Sequence, residues 1–371
     1  MIVGVPKEIK THEYRVGLTP GSVKELIHRG AKQVLIETNA GAGVGLTDEM
    51  YIAAGASIVA NADIVFDRAE MIVKVKEPQP SECIKLRQGQ TLFTYLHLAP
   101  DPTQTELLLK SGCTAIAYET VTAKDGSLPL LVPMSQVAGR MSIQAGAHCL
   151  EKASGGSGML LGGVPGVEPA QVVVIGGGVV GTNAVRMAMG MEAAVTVLDK
   201  SLNRLIELDF QFGSKLNTIY ATDDMLEYYV MKADLVIGAV LVAGAKAPKL
   251  VTRDMLKQMR DGSVVVDVAI DQGGCFETSR ATTHDVPTYL EEGIIHYCVA
   301  NMPGAVARTS TFALNNATLP FVLELVTKGV KTALLENPNL MNGLNIHEGK
   351  VTYEAVAHAL DLPYHSPLNI L

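Results

Sequence analysis

The segment that most constrains the fold is Val172-Val-Val-Ile175, which runs into Gly176-Gly177-Gly178-Val179-Val180-Gly181 and then into the Ala/Met-rich stretch Thr182 to Met191. Four apolar residues, a G-x-G-x-x-G turn and an Ala/Met-rich helical stretch read as strand, loop and helix of a dinucleotide-binding βαβ unit. Gly176 permits a tight turn, Gly178 lets backbone N–H groups approach a pyrophosphate, and Gly181 lets the helix pack closely on the strand while its dipole faces the anion. Eighteen residues past Gly181, the run Ala194 to Leu198 ends in Asp199, a position from which a carboxylate accepts hydrogen bonds from an adenosine ribose. That charge favours NAD over NADP, whose 2′-phosphate it would repel, although Lys200 and Arg204 keep NADP open. A Gly-rich turn beside a strand-end Asp that caps a helix is the plainer alternative for the same residues.

A length of 371 residues leaves room for two or three domains at about 150 residues each. Before the Gly-rich stretch 154–166, strands are expected at Ile2–Val5, Val34–Glu37, Met71–Val75, Thr91–Thr94 and Thr114–Ala117. After it they are expected at Val172–Ile175, Ala194–Leu198, Leu235–Ile237, Val264–Asp267 and Ile295–Cys298. Amphipathic segments alternate with these runs, so the fold class is α/β: two Rossmann-like, doubly wound domains with parallel sheets and a cleft between them. A long helix over 136–152 would bridge the two, a second crossover is expected near Arg308, and the helical tail 318–328 would pack back on the first domain.

Thirty Lys+Arg against 38 Asp+Glu provides no basic field for nucleic acid or an anionic membrane. The longest uncharged stretch, Pro169 to Val185, carries one Pro and four Gly and is unfit to span a bilayer. The opening residues lack the basic head and long apolar stretch of an export signal, so a cytoplasmic protein is expected. Five scattered cysteines offer neither a C-x-x-C pair nor a metal-ligand spacing, and each reads as a small buried hydrophobe; only Cys275, in a polar Gly-rich loop, has a nucleophilic alternative.

Candidate substrate-side residues stand at strand ends. Period-two alternation places Lys74 and Lys76 on one face of their strand, with Lys76 nearer the loop and able to reach a carboxylate. His97 stands where a strand gives way to a Pro-bounded loop, either a satisfied core histidine or a general acid/base. Arg15, after the first strand, would stand at the mouth of the same crevice and grip a carboxylate in bidentate fashion, or it forms a surface or domain-interface salt bridge. Asp271 follows a buried strand and could stabilise developing positive charge; Asp267, inside that strand, reads as structural. Val240, Leu241 and Ala269 are candidates for cofactor contact or ordinary core.

Taken together, Gly4-Val-Pro-Lys-Glu8, Glu13-Tyr-Arg-Val-Gly-Leu-Thr-Pro20, Lys74-Val-Lys-Glu-Pro78, Phe93-Thr-Tyr-Leu-His97-Leu, Ala117-Tyr-Glu-Thr120, Gly162-Gly-Val-Pro-Gly-Val167, Val268-Ala-Ile-Asp-Gln-Gly-Gly-Cys-Phe276 and Val299-Ala-Asn-Met-Pro303 resemble the bacterial alanine dehydrogenase family over nearly the whole chain. The resemblance implies reversible oxidative deamination of L-alanine to pyruvate and ammonium with NAD, in a homohexamer. It implies a discontinuous substrate domain, 1–129 with 306–371, around an NAD-binding domain, 130–305. It further implies that Arg15 and Lys76 hold the substrate carboxylate, that His97 is the general acid/base and that Asp271 is the second catalytic residue. The cofactor contacts it implies are Ser135, Gly176, Gly178, Val179, Gly181, Asp199, Arg204, Val240, Leu241, Val268, Ala269, Ile270, Asp271, Arg280, Val299, Ala300, Asn301 and Met302, with only backbone contact at apolar Val179. Two cationic anchors near His97 are expected to disfavour its protonation. The rivals are an NAD(H)-binding, hydride-transferring transhydrogenase subunit and another amino-acid dehydrogenase, such as one forming saccharopine.

Overall fold

The structure is a computed structural model that describes residues 1–240 and 247–371. The chain divides into two compact units, Met1–Met134 with Val306–Leu371, and Ser135–Ala305.

In chain order, the first unit begins with β1 (Ile2–Val5), β2 (Gln33–Glu37), β3 (Ser57–Val59), β4 (Met71–Val73), β5 (Thr91–Thr94) and β6 (Thr114–Ala117). The second unit contains β7 (Gln171–Ile175), β8 (Ala194–Asp199), β9 (Leu216–Tyr220), β10 (Leu235–Gly238), β11 (Val264–Asp267), β12 (Thr288–Glu291) and β13 (Ile294–Tyr297). The chain then returns to the first unit with β14 (Leu344–His347) and β15 (Lys350–Val351).

The first sheet has the order β15-β14-β6-β5-β4-β1-β2-β3. Strands β1 to β6 pair in parallel, whereas β14 runs antiparallel to both β6 and β15. The second has the order β12-β13-β11-β10-β7-β8-β9, parallel except for the β12–β13 hairpin. Both units are therefore Rossmann-like, with sheets that are mixed at an edge rather than wholly parallel. The returning tail pair β14–β15 extends the first sheet and the β12–β13 hairpin the second, where no crossover helix is needed.

In the second unit, alternate residues of one strand feed separate cores: Val172 and Val174 join Val185, Val197 and Ile237 on one face, while Val173 and Ile175 join Val230, Val236 and Phe276 on the other. Burial on both faces is what near-continuous apolar strands demand. The first unit packs Leu35, Phe66, Ile72, Leu92, Leu108 and Ile346 in one such layer.

The helix Val132–Cys149 crosses the boundary between the units and starts earlier than its apolar pattern suggested. The tail helix is longer than the pattern, running Ala307–Lys328 with Pro320 inside it. Its first half carries buried polar residues, and an apolar count alone does not register these. Asn315 is one of them: its amide donates to Gly17 O at 2.7 Å and accepts from Thr19 N at 3.2 Å, tying this helix to the loop that follows Arg15.

Candidate active site

Four neighbouring parallel strands, β6, β5, β4 and β1, end at the same edge of the first sheet. The segments leaving them carry Glu119, His97, Lys76 and Arg15 respectively. Strand order changes direction at β1, which has β2 on one side and β4 on the other, and ligands in open α/β sheets bind beyond such strand ends. This topology is why residues scattered over a hundred positions meet.

The first strand leads to a loop whose backbone lies against the end of β4: a Cβ on Gly17 would stand 2.5 Å from Val73 O. Arg15 is buried within the first unit. It is 2% exposed, and Glu13 grips it through Nε at 2.6 Å and Nη2 at 2.5 Å while Nη1 reaches Met134 Sδ at 3.1 Å. Burial would raise the Glu13 carboxyl, but the Arg15 guanidinium and the Lys76 charge hold it below the ordinary carboxylate range. Arg15 is thus in a salt bridge, but a buried one with a partner two residues away in the same loop, not the surface or domain-interface bridge its position suggested.

β4 stops at Val73, so simple strand alternation does not carry through Lys76. Lys74 is fully buried, 3.0 Å from Glu8 Oε2 and 2.8 Å from Glu82 Oε1. Burial alone would lower its pKa; the two carboxylates reverse that and hold it charged. Glu8 Oε1 also accepts from the backbone N–H of Val75 at 2.7 Å and of Lys76 at 3.4 Å. This buried triad fixes the backbone from which Lys76 projects, and the Lys76 ammonium lies 3.6 Å from Glu77 Oε2.

His97 has φ 51°, a left-handed conformation that His tolerates better than most residues. Glu119 holds it there: its carboxylate accepts from His97 N at 2.7 Å and Leu96 N at 3.2 Å. The imidazole stacks on Tyr95 with centroids 5.8 Å apart, its side chain is 45% exposed, and Nδ1 lies 3.5 Å from Glu77 Oε2. The expected depression of its pKa is reversed. Burial and Lys76 lower it, but Glu77 and the Glu119 charge outweigh them and raise it above 6.5. Sequence reasoning singled out the cations and missed Glu13, Glu77, Glu119 and Tyr95, although each of the four lies inside a motif already noted.

In the second unit, β13, β11, β10, β7 and β8 present their carboxyl ends side by side, with β7 between β8 and β10 as the point where strand order reverses. Gly176 has φ 97°, a Cβ on Gly181 would stand 1.8 Å from Gly176 O, and a Cβ on Gly178 would meet nothing within 4 Å. The helix Val179–Gly190 follows directly. An open approach to backbone at a helix N-terminus suits a dinucleotide's pyrophosphate. Asp199 closes β8; its carboxylate accepts from Gly177 N at 2.7 Å and Ser201 N at 2.8 Å, which aims it while leaving acceptor capacity. Arg204 clasps the loop, donating to Gly177 O and to Thr182 Oγ1, both at 2.6 Å, and pairs with Glu207.

Val240 follows β10, and Leu241 lies outside the described residues. Val268, Ala269, Ile270 and Asp271 follow β11, with Asp271 exposed in the turn Ile270–Gln272. Buried Asp267 shapes that loop by accepting from Ala269 N, Cys275 N and Ser279 Oγ. Cys275 is buried, and burial with the Asp267 charge pushes its thiol far above its usual pKa, which removes the nucleophilic alternative. Arg280 stacks over Tyr289 at 3.8 Å and pairs with Glu291 at 3.7 Å. Val299, Ala300, Asn301 and Met302 follow β13, Asn301 with φ 63°. Ser135 lies on the helix Val132–Cys149. The sequence candidates thus fall into two sets, Arg15, Lys76 and His97 on the first unit, and Asp271 with the cofactor candidates on the second. Among the described residues no His/Cys/Asp/Glu group is fit to hold a metal ion, and no helix is long and apolar enough to cross a membrane.

Because only a residue without Cβ fits between Gly176 O and the helix, Gly181→Ala is expected to push the helix off β7. Fluorescence titration with NADH should show Kd raised at least about tenfold, a loss of roughly 1.4 kcal/mol.

Two family models match the chain, "Alanine dehydrogenase/PNT, N-terminal domain" over residues 4–138 and "Alanine dehydrogenase/PNT, C-terminal domain" over residues 142–354. An alanine dehydrogenase of Halomonas elongata is 61% identical across 98% of each chain. A solved L-alanine dehydrogenase superposes with TM-score 0.95 at 52% identity, covering 97% of this chain and 99% of the other. A transhydrogenase from Sinorhizobium meliloti gives TM-score 0.82 at 25% identity, covering 96% and 100%. The cation and imidazole cluster at one sheet edge, the glycine-forced turn at the other and this end-to-end similarity lead to one assignment: the chain belongs to the alanine dehydrogenase/PNT family.

Proposed function

We propose that the chain is an NAD-dependent L-alanine dehydrogenase, interconverting alanine with pyruvate and ammonium. The observation that carries this reading is the first-unit cluster, in which two cations and an imidazole are each fixed by a carboxylate partner at the ends of adjacent strands. The identity to curated alanine dehydrogenases, more than twice that to the transhydrogenase, supports it over the transhydrogenase reading.

In this reading the second unit binds NAD through the glycine loop, Asp199 and the loops after β10, β11 and β13. The bound nicotinamide supplies the hydride acceptor for alanine Cα–H. Arg15 and Lys76 clamp the substrate carboxylate, and Glu13, by fixing the guanidinium, limits the orientations the clamp allows. Loss of hydride leaves an iminium carbon. Neutral His97 takes a proton from water as the oxygen adds to that carbon and returns it to nitrogen; as the C–N bond breaks it takes the hydroxyl proton, so that the carbonyl forms, and passes it to the departing ammonia, releasing ammonium and pyruvate. Asp271 would stabilise positive charge on that path. The raised pKa of His97 sets the sign of the pH dependence: deamination needs the neutral ring and grows with pH through that pKa, while amination of pyruvate needs the protonated ring and is favoured below it. The family resemblance further supports a cytoplasmic homohexamer, which sedimentation would check as a mass of six chains.

The direct test is NADH formation by the purified chain. Alanine with NAD⁺ should give NADH, and pyruvate with ammonium should consume it; 2-oxoglutarate with lysine should not, and an absence of alanine dependence would leave the transhydrogenase reading. Lys76→Ala removes a charge-assisted contact of about 1.5–3 kcal/mol. It should raise the alanine KM roughly 10–100-fold with the NAD⁺ KM unchanged; equal effects on both would point to a folding defect.

A further inference from the structure

We propose that Glu77 is the positioning residue of the site: its buried carboxylate holds the His97 imidazole by Nδ1, so that Nε2 is the atom that exchanges protons with the attacking water. This rests on the reading of His97 as the general base.

The two oxygens of Glu77 are in different situations. Oε1 is bound by Lys10, from the segment after β1. Oε2 is buried and has no hydrogen bond of ordinary length, yet His97 Nδ1 lies 3.5 Å away and Lys76 Nζ 3.6 Å away. A buried carboxylate oxygen left without a donor is costly. The donors that stand ready to satisfy it are the imidazole and the substrate anchor themselves.

The rest of the imidazole's surroundings fix it against this oxygen. Glu119, after β6, pins the backbone of His97, and Tyr95 stacks on one face of the ring. The charged groups facing the ring are Glu77 and Lys76 from the segment after β4 and Glu119 from the segment after β6, with Lys10 behind Glu77. A neutral ring donating Nδ1–H to Glu77 carries its lone pair on Nε2, away from that carboxylate; once protonated at Nε2, the imidazolium faces a compensating charge. Lys76 competes for the same oxygen. When a substrate carboxylate draws the Lys76 ammonium to itself, Oε2 is left to His97, so filling the anchor strengthens the hold on the base.

The test is the pH dependence of kcat/KM for alanine with NAD⁺ in the full-length wild type, Glu77→Gln, Glu77→Asp and Lys10→Met. Glu77→Gln removes the charge and should move the His97 limb down by about one pH unit, with kcat at least tenfold lower and the alanine KM changed less. Glu77→Asp keeps the charge and should hold the limb within a few tenths of wild type. Lys10→Met, at a half-exposed position, leaves the carboxylate less neutralised and should move the limb upward. Opposite movements support the proposal. A limb unmoved in both Glu77→Gln and Lys10→Met, or equal losses in Gln and Asp without movement, overturns it. Should Glu77→Gln fail to fold, Lys10→Met decides alone: an upward move supports the proposal and an unmoved limb overturns it. A wild type that makes no NADH from alanine overturns the proposed function instead.

Discussion

Replacing His97 by Gln is expected to lower kcat for alanine oxidation by about 10²–10⁴-fold, the usual contribution of a positioned general base, while NADH still binds with wild-type affinity. Gln fills a similar volume but takes no proton from water. The NADH-binding residues proposed for the second unit are untouched, so fluorescence titration separates a chemical defect from a collapsed fold. Backbone strain needs its own control because His97 sits at φ 51°. His97→Asn supplies it, since Asn adopts the left-handed region readily. Both variants should lose activity to a similar degree. If Asn retained near-wild-type turnover, the ring would matter as a backbone device and not as a base.

The second large effect lies beneath the site. Lys74→Met is expected to cost about 3–5 kcal/mol of stability, because removing one member of a buried ionic group leaves the others uncompensated. Glu8 and Glu82 would then face each other without the ammonium now 3.0 and 2.8 Å from them. Burial already raises the pKa of Glu8 against the pull of Lys74. In the variant, Glu8 should therefore protonate nearer neutrality, and the loss should shrink as pH falls. Urea denaturation across pH reads both the size and the sign. Because Glu8 also holds the backbone of Val75 and Lys76, the variant should bind alanine more weakly even where it folds. A midpoint equal to wild type would show that the lysine is dispensable to the core.

The contrast between Lys74 and Lys76 shows how far the sequence reaches. Both sit at the end of an apolar run, and the position nearer the loop marks Lys76 as the better anchor. What no local pattern contains is that Glu8 and Glu82 close over Lys74, since those partners arrive from other turns of the chain. The same holds for His97. Its strand-end position is legible, yet its charge balance depends on Glu77 and Glu119, which parallel pairing of β4, β5 and β6 delivers to one edge. Expecting its pKa to fall counted the cations and not the carboxylates. Arg15 and Glu13 are the instructive exception, because they are two residues apart and both buried with exposed Tyr14 between them, and the pair could have been read from that spacing.

In the second unit the glycine loop was legible because each glycine answers a steric demand that no other residue meets, down to the 1.8 Å approach at Gly181. The strands that escaped notice are short or carry polar residues at sheet edges: Ser57–Val59, Leu216–Tyr220, Thr288–Glu291, Leu344–His347 and Lys350–Val351. Edge strands need only one buried face, and β9 and β12 expose much of theirs, so their apolar signal is thin.

The most direct measurement is a crystal structure of the enzyme with NADH and pyruvate. Density for pyruvate should show its carboxylate against Arg15 and Lys76 and its keto carbon between the nicotinamide and the His97 ring, with Nδ1 of that ring on Glu77. Pyruvate bound elsewhere, or an imidazole turned from both the ligand and Glu77, would contradict the assignment of these residues to alanine chemistry.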